Sequence, residues 1–189
     1  MEIRETTLTD VLVLVPVIHG DERGFFHETY RRDQLATSPL ESVEFVQENH
    51  SRSATGVLRG MHFQVGDGIG KLVRCARGAI YDVVVDLRRG SPTYRAWEGF
   101  DLDDQSLHQL WVPVGFAHGF LTRSAVADVI YKQTGYYDPL LERCIAWDDP
   151  DIGVRWPLDD GEPTLSAKDA AAPRLTELTS ELPFAYRAG

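Results

Sequence analysis

The chain has 189 residues, of which 43% are hydrophobic and 25% charged, a composition typical of a folded globular protein and unlike that of a disordered chain. Its net charge of −10 opposes broad binding to nucleic acid or to an anionic membrane, so neither is expected as a partner. The length suits one hydrophobic core, and we predict a single domain over residues 1–189.

The longest nearly apolar segment, residues 11–18, is too short to span a bilayer, contains Pro16 and follows a polar opening. It therefore resembles neither a membrane helix nor a signal peptide, and we expect a cytoplasmic protein. The two cysteines, Cys75 and Cys144, are far apart and lack neighbours at metal-ligand spacing. This spacing favours free thiols over a disulfide framework or a zinc site.

Short segments rich in Val, Ile, Phe, Tyr and Trp alternate with turn sequences along most of the chain, as in an all-β sandwich or barrel. The predicted strands cover residues 11–18, 43–49, 56–64, 71–77, 79–87, 96–102, 107–113, 118–122, 126–133 and 143–147. Helices are predicted only over residues 30–36 and from Ser166, which is a suitable N-cap ahead of Pro173. So many strands with so little helix predict two packed sheets or a closed jelly roll, with the short helices at the periphery.

The first candidate ligand-facing segment is FVQENHS, in which strict alternation would place Phe45, Gln47 and Asn49 on one side of a strand. An aromatic ring beside two amides suits a ligand, although an exposed polar face explains the spacing equally well.

His62 lies within RGMHFQ, and Phe63 and Gln64 occupy the positions where a metal-binding cupin would carry a second histidine. One imidazole does not supply the three or four converging ligands that a metal ion needs, so no metal site is predicted. Two interpretations remain from the residues alone. His62 is either a core histidine with satisfied nitrogens or a general base.

Further along the chain, Asp82 and Asp86 share one face of a central strand, and hydrogen bonding within the sheet or to a turn accounts for them as well as any functional role. His118 lies in PVGFAHGF, where it could line the mouth of a barrel. Tyr131 follows Ala127 and Val129 on one face, which directs its phenol into the interior. A buried tyrosine, however, usually only finds a hydrogen-bond partner.

Several long motifs, taken in order and spacing, strongly resemble the dTDP-4-dehydrorhamnose 3,5-epimerase family from about Ile18 to Asp169. They are DERGFFHETY, QENHSRSATGVLRGMHFQ, KLVRCARGAIYDVVVDLRRGSPTY, LWVPVGFAHGF, YKQTGYYDP and WDDPDIGVRWP followed by LSAKD. The resemblance implies a cupin-like jelly roll that forms a homodimer and uses neither metal nor organic cofactor. It also implies a dTDP-4-keto-6-deoxyhexose substrate, epimerised on the way to L-rhamnose or a related sugar.

The same resemblance implies roles for individual residues. His62 would be the proton acceptor, Asp169 its orienting partner, Tyr131 the proton donor and Lys71 the group that stabilises the enolate. Substrate-binding roles would fall to Arg23, Phe26, Glu28, Gln47, Asn49, Arg59, His118, Glu142 and Lys168, with Phe25 as a further aromatic candidate. The planar guanidinium of arginine can bind phosphate oxygens in pairs, which suits a diphosphate, and aromatic rings can stack on the sugar and the thymine.

These roles conflict with strict strand alternation, which would send Arg59 and His62 to opposite faces. We therefore predict a bulge at Gly60 that redirects the residues after it. The loop VGDGIG, residues 65–70, also stands where many family members carry a slightly longer loop with proline, which bears on substrate choice.

Three alternatives accompany the double-epimerase interpretation. A relative of the same fold could invert only C3 or only C5 of a specialised deoxysugar with the same base and acid. A sugar-binding jelly roll without catalytic activity ranks lower, because a base, an acid and a lysine are all present. A metal-dependent cupin enzyme ranks lowest.

Overall fold

The computed structural model describes residues 1–36, 38–158 and 161–187, which form thirteen strands and three short helices. The first strands are β1 (Glu2–Glu5), β2 (Leu12–Val15), β3 (Ile18–Asp21), β4 (Gly24–His27), β5 (Gln47–Ala54), β6 (Leu58–Gln64) and β7 (Lys71–Arg77). They are followed by β8 (Ala79–Asp86), β9 (Trp97–Asp103), β10 (Gln109–Val112), β11 (Phe116–Thr122), β12 (Val126–Gln133) and β13 (Glu142–Cys144). The helices are α1 (Arg32–Leu35), α2 (Ala167–Ala170) and α3 (Leu175–Leu178).

Two antiparallel sheets form the body of the molecule. The six-stranded sheet has the order β1-β2-β10-β7-β12-β5, and the five-stranded sheet has the order β13-β6-β11-β8-β9. Strands that are distant in sequence lie side by side in both sheets, as in a jelly roll. The predicted all-β jelly roll with short peripheral helices is therefore confirmed. Strands β3 and β4 form a separate hairpin.

Hydrophobic residues pack in three layers. The central cluster lies between the sheets and takes residues from both, including Val73, Val84 and Val129, each 0% exposed. A second cluster covers the outer face of the five-stranded sheet with α3 and the C-terminal segment, and a third covers the outer face of the six-stranded sheet with α1 and the segment after it. Alternating residues of the central strands thus face an inner and an outer apolar layer.

The predicted bulge at Gly60 is confirmed by the pairing of β6 with β11. His118 pairs with His62 and Phe120 with Arg59, so two residues of β6 face the single Gly119. The strands approach so closely here that a Cβ on Gly60 would lie 2.5 Å from Gly119 Cα. Two facing glycines permit this contact, and the extra residue turns both Arg59 and His62 toward the interior.

Several predicted boundaries were wrong. The segment 11–18 is divided between β2 and β3, and the strand predicted over 43–49 begins at Gln47 and continues to Ala54. Phe45 consequently does not share a face with Gln47 and Asn49. It packs outside the sheet, edge to face with Tyr30 and Trp111. Strands β1 and β4 and helix α3 were not predicted.

The two aspartates of β8 share one face, as predicted, and this face points inward with Ile80 and Val84, but the two have different partners. Asp86 accepts hydrogen bonds from the Arg88 guanidinium at 2.8 and 3.0 Å and from the hydroxyls of Ser91 and Thr93. Arg88 also donates to Asp10 at 2.6 Å, which ties the N-terminal loop to the end of the sandwich. Asp86 is therefore structural.

The described part of the chain contains no helix that is long and apolar enough to cross a membrane. Cys75 is buried, Cys144 is half-buried, and both are free thiols.

Candidate active site

A cavity of about 720 Å³ opens between the two sheets, a size typical of small-molecule sites. It occupies the end of the sandwich where polar residues replace the apolar residues of the central cluster. On β12, for example, Ala127 and Val129 belong to the core, while Tyr131 and Gln133 line the cavity. The other side chains that line it include Gln47, Asn49, Ser51, Arg59, His62, Gln64, Lys71, His118, Tyr137, Glu142, Lys168 and Asp169.

His62 projects into this cavity from β6 and is held by a carboxylate. Its Nε2 atom lies 2.6 Å from Asp169 Oδ1, and the side chains are 27% and 4% exposed, respectively. Burial alone would raise the pKa of Asp169, but the hydrogen bonds from His62 and Ser166 outweigh it, so the pKa is lowered. An ionised Asp169 accepts the Nε2 proton and leaves Nδ1 of a neutral imidazole as the proton acceptor.

Helix α2 places Asp169 in this position. Ser166 is the N-cap, as predicted, and its hydroxyl accepts the Asp169 backbone N–H at 3.1 Å. The cap fixes the start of the helix, which turns the Asp169 carboxylate inward while the neighbouring Lys168 reaches the mouth of the cavity.

Tyr131 lines the same cavity from the opposite sheet and pairs with Asn49 of β5 across the strand ladder. Burial raises the pKa of the Tyr131 phenol, and the nearby Glu142 charge raises it further, while the Asn49 amide opposes the change. The phenol therefore stays protonated at neutral pH and can donate a proton.

Lys71, at the start of β7, supplies a cation. Burial lowers its pKa to about 8, against the influence of Asp82 and Glu142, which favour the charged form. At neutral pH it remains mostly an ammonium group. A partly desolvated ammonium attracts negative charge on a substrate more strongly than a fully hydrated one does.

His118 forms a second histidine–carboxylate pair, because its Nε2 atom lies 2.9 Å from Asp82 Oδ2. Both side chains are buried, at 8% and 0% exposure. Burial lowers the pKa of His118 despite the Asp82 charge, and Lys71 lowers it further. No local pattern in the sequence assigned Asp82 to the site, because its partner is 36 residues away in the chain.

Amide side chains form a connected row along the inner face of β5 and β12. Gln47 donates to Asn49 at 3.0 Å, and Asn49 donates to Gln133 at 2.9 Å. Gln133 was not singled out from the sequence, although its position two residues after Tyr131 places it on the same face.

Three charged candidates surround the mouth of the cavity. Arg59 is held by the Ser53 hydroxyl at 2.9 Å and by a backbone carbonyl. Glu142 pairs with Lys168 and also accepts the Tyr137 hydroxyl at 2.7 Å. Burial would raise the pKa of Glu142, but the bonds from Lys168 and Tyr137 lower it overall, so the carboxylate remains charged.

Arg23, Phe26 and Glu28 do not line this cavity. They belong to the β3–β4 hairpin and the residue that follows it, where Arg23 pairs with Asp21 and Phe26 is 66% exposed. Phe26 and Glu28 instead line a smaller cavity of about 360 Å³ with Met1, Val17, His19 and Gln34. The structure thus separates these three candidates from the other substrate-binding candidates.

No group of three or more His, Cys, Asp or Glu side chains within the described ranges is arranged to hold a metal ion.

A histidine–carboxylate pair, a protonated phenol and an ammonium group around one cavity suit proton transfer at carbon beside a carbonyl. The fold and the cavity define the class of protein, a jelly-roll enzyme equipped for acid–base chemistry.

Comparisons with known proteins narrow the class. A family model described as dTDP-4-dehydrorhamnose 3,5-epimerase matches residues 5–177. A dTDP-4-dehydrorhamnose 3,5-epimerase of Salmonella typhimurium is 50% identical over 178 residues, which cover 94% of this chain and 97% of the relative. The chain belongs to the dTDP-4-dehydrorhamnose 3,5-epimerase family and is an isomerase.

Solved structures of nucleotide-sugar epimerases have the same fold as this chain. The crystal structure of dTDP-6-deoxy-D-glucose-3,5-epimerase from Legionella pneumophila in complex with dTDP-4-keto-L-rhamnose is 43% identical, with a TM-score of 0.95 and 99% of each chain covered. A 3'-monoepimerase from Streptomyces bikiniensis in complex with dTDP-quinovose is 34% identical, with a TM-score of 0.85 over 93% of this chain and 89% of the other. The similarity is thus greater to the double epimerase than to the single one.

Proposed function

We propose that this protein epimerises a dTDP-4-keto-6-deoxyhexose at C3 and C5, converting dTDP-4-dehydro-6-deoxyglucose to dTDP-4-dehydro-L-rhamnose. The observation that carries the proposal is the placement of His62 and Tyr131 on facing sheets of one cavity. The family model and the curated relatives that are about half identical to this chain are both described as 3,5-epimerases, which favours two inversions over one.

The proposed reaction begins when neutral His62 takes the proton from a carbon next to the C4 ketone. The electron pair of the broken C–H bond moves to the ketone oxygen and gives an enolate. Tyr131 then returns a proton to the other face of the carbon, which inverts the stereocentre. Asp169 orients His62 and stabilises the imidazolium that forms.

Lys71 completes the mechanism by placing positive charge near the enolate oxygen. Because C3 and C5 both flank C4, a single oxyanion group can serve both inversions. His118, held by Asp82, lies in the same part of the cavity and is the proposed neighbour of the sugar ring.

Recognition of the nucleotide is assigned to the polar groups toward the mouth of the cavity. Arg59 and Lys168 offer positive charge for the diphosphate, and Glu142 holds Lys168 in place before the substrate binds. Gln47 and Asn49 supply neutral hydrogen-bonding groups on the opposite wall.

We further propose a homodimer in which the β3–β4 hairpin of one chain completes the site of its partner. The hairpin makes no wall of its own chain's main cavity, yet it exposes Phe25 at 59% and Phe26 at 66%. Exposed aromatic rings beside charged residues are typical of an interface. This arrangement would bring Arg23, Phe26 and Glu28 to the substrate. A cytoplasmic location remains a prediction, supported by the two free thiols.

The decisive experiment follows dTDP-4-keto-6-deoxyglucose in heavy water. We expect deuterium at both C3 and C5 together with the L-rhamno product. Deuterium at only one carbon would identify a single epimerase. The absence of deuterium at both carbons would identify a protein that binds sugar nucleotides without epimerising them.

The dimer is tested by mixing two variants. His62→Asn lacks the base, and Arg23→Ala alters the hairpin. If the hairpin acts on the partner, a mixed dimer contains one intact site and recovers activity that neither variant has alone. If the hairpin acts within its own chain, mixing restores nothing.

A further inference from the structure

A chain of hydrogen bonds fixes the orientation of three amide side chains in the cavity wall. It starts at the backbone N–H of Tyr137, which donates to Gln47 Oε1 at 3.0 Å. Gln47 Nε2 then donates to Asn49 Oδ1 at 3.0 Å, and Asn49 Nδ2 donates to Gln133 Oε1 at 2.9 Å.

The direction of this chain follows from its first member. The oxygen and nitrogen ends of a side-chain amide are distinguished by their hydrogen bonds, and a backbone N–H can only donate. Gln47 must therefore present its oxygen to Tyr137, and each following amide is oriented in turn. Reversing any of them would place two donors or two acceptors against each other.

Gln133 is the last amide in this chain of hydrogen bonds. Its oxygen is occupied by Asn49, and no group within residues 1–36, 38–158 and 161–187 accepts a hydrogen bond from its nitrogen. Gln133 is only 4% exposed and lines the cavity. Its nitrogen is not enclosed by protein atoms, so the Nε2 donor is open to the cavity and available to a ligand there.

The position of Gln133 indicates which ligand atom could accept this hydrogen bond. Gln133 lies directly opposite Lys71 in the pairing of β12 with β7, and opposed side chains have Cβ atoms about 5 Å apart. It is also two residues from Tyr131 on the same face of β12. The amide nitrogen and the Lys71 ammonium can therefore reach one oxygen.

We infer that Gln133 contacts the substrate and donates a hydrogen bond from Nε2 to the C4 oxygen, beside Lys71. This inference rests on the proposed epimerase function. A neutral donor at this point adds stabilisation as the ketone becomes an enolate and leaves the net charge of the site unchanged.

Two variants test the inference in the complete enzyme by deuterium exchange at saturating substrate. Gln133→Met removes the donor, and we expect kcat for exchange to fall about 10²-fold, as for loss of one oxyanion donor. Gln133→Glu keeps an acceptor for Asn49 but cannot donate, and its charge opposes the enolate, so the loss should be larger. Affinity for dTDP, which has no ketone, should stay unchanged in both.

Glu48→Gln is the matched control, because Glu48 precedes Asn49 on the exposed face of β5 and should keep the unmodified rate. If Gln133→Met exchanged at the unmodified rate, the inference would be overturned while the epimerase function stood. A loss of rate matched by an equal loss of dTDP affinity would also overturn it, because Gln133 would then only shape the wall. Lack of exchange in the unmodified enzyme would remove both proposals.

Discussion

His62 and Tyr131 approach the same cavity from different sheets, His62 from β6 in the five-stranded sheet and Tyr131 from β12 in the six-stranded sheet. A planar enolate bound between the sheets would therefore present one face to the imidazole and the other to the phenol. Inversion at carbon requires this separation, because a single group that removes and returns a proton from one side restores the original configuration.

This geometry makes the two residues separable by experiment. In Tyr131→Phe we expect deuterium to enter the substrate while the inverted product falls at least about 10²-fold, since the base remains but the acid of the other face is lost. The partial exposure of His62, at 27%, lets its proton exchange with solvent between events. Mass spectrometry measures label, and NMR measures configuration.

His62→Asn provides the contrast, because without a base neither label nor inversion should appear above about 10⁻² of the original rate. Binding of dTDP should survive in both variants. Full inversion by Tyr131→Phe would show that another group protonates the enolate.

The general architecture was predictable from the sequence because alternating apolar residues and turn signals are local. The strands of the central sheets, such as β7, β8 and β12, have inner residues that must be apolar to form the core. The short peripheral elements carry weaker patterns. β4 contains two exposed phenylalanines, and α3 is only one turn long, so neither shows the periodicity that would identify it.

The candidate site was less predictable, because its pairs join residues distant in sequence. His62 and Asp169 are 107 residues apart, and His118 and Asp82 are 36 apart. No local pattern encodes such contacts, so the resemblance to a family supplied the first pair and neither argument supplied Asp82. The glycine in RGMHFQ was the exception, because strand alternation and the roles that the resemblance implies for Arg59 and His62 together required a bulge there.

The protonation of Lys71 predicts the alkaline side of the pH profile. Its pKa is lowered to about 8, and a lysine is charged only below its pKa, so the enolate loses its cation as the pH rises through about 8. We expect kcat to fall above this pH. The phenol of Tyr131 is not responsible for the fall, because burial raises its pKa and keeps it protonated there.

Lys71→Arg tests the assignment. Arginine stays charged throughout this range, so the fall near pH 8 should disappear even though a changed geometry lowers the maximum rate. Persistence of the same alkaline limb in the arginine variant would assign the limb to a different group.

The contact between Gly60 and Gly119 links stability to activity. In Gly60→Ala the new methyl group would lie 2.5 Å from Gly119 Cα and 2.9 Å from the His118 carbonyl oxygen. Because backbone must move, we expect the free energy of unfolding to fall by about 1–3 kcal/mol. Because His62 lies two residues after Gly60, the shift should displace its imidazole, and deuterium exchange should slow by about 10²-fold.

Gly90→Ala separates this steric effect from backbone strain. Gly90 has φ +83, yet a Cβ there would meet no atom within 4 Å. It should cost about 1 kcal/mol of stability through the left-handed conformation and leave the exchange rate unchanged. An active, stable Gly60→Ala enzyme would disprove the requirement for two facing glycines.

Arg88 should contribute to stability without contributing to the reaction. Its guanidinium bonds Asp86, Asp10 and the Thr9 carbonyl and packs 4.5 Å from the centre of the Phe116 ring, outside the walls of the main cavity. In Arg88→Met the Asp86 carboxylate stays charged, and its side chain is 0% exposed. Its remaining donors are the hydroxyls of Ser91 and Thr93 and the backbone N–H of residue 88. Removing one partner of such a buried pair costs about 3–5 kcal/mol, which urea unfolding would measure.

Arg123→Met is the control variant, because it breaks an exposed pair with Asp101 and should cost less than about 1 kcal/mol. Equal losses in the two variants would mean that the Arg88 network is no stronger than a surface ion pair, whereas a slower exchange rate in folded Arg88→Met would connect this end of the sandwich to the site.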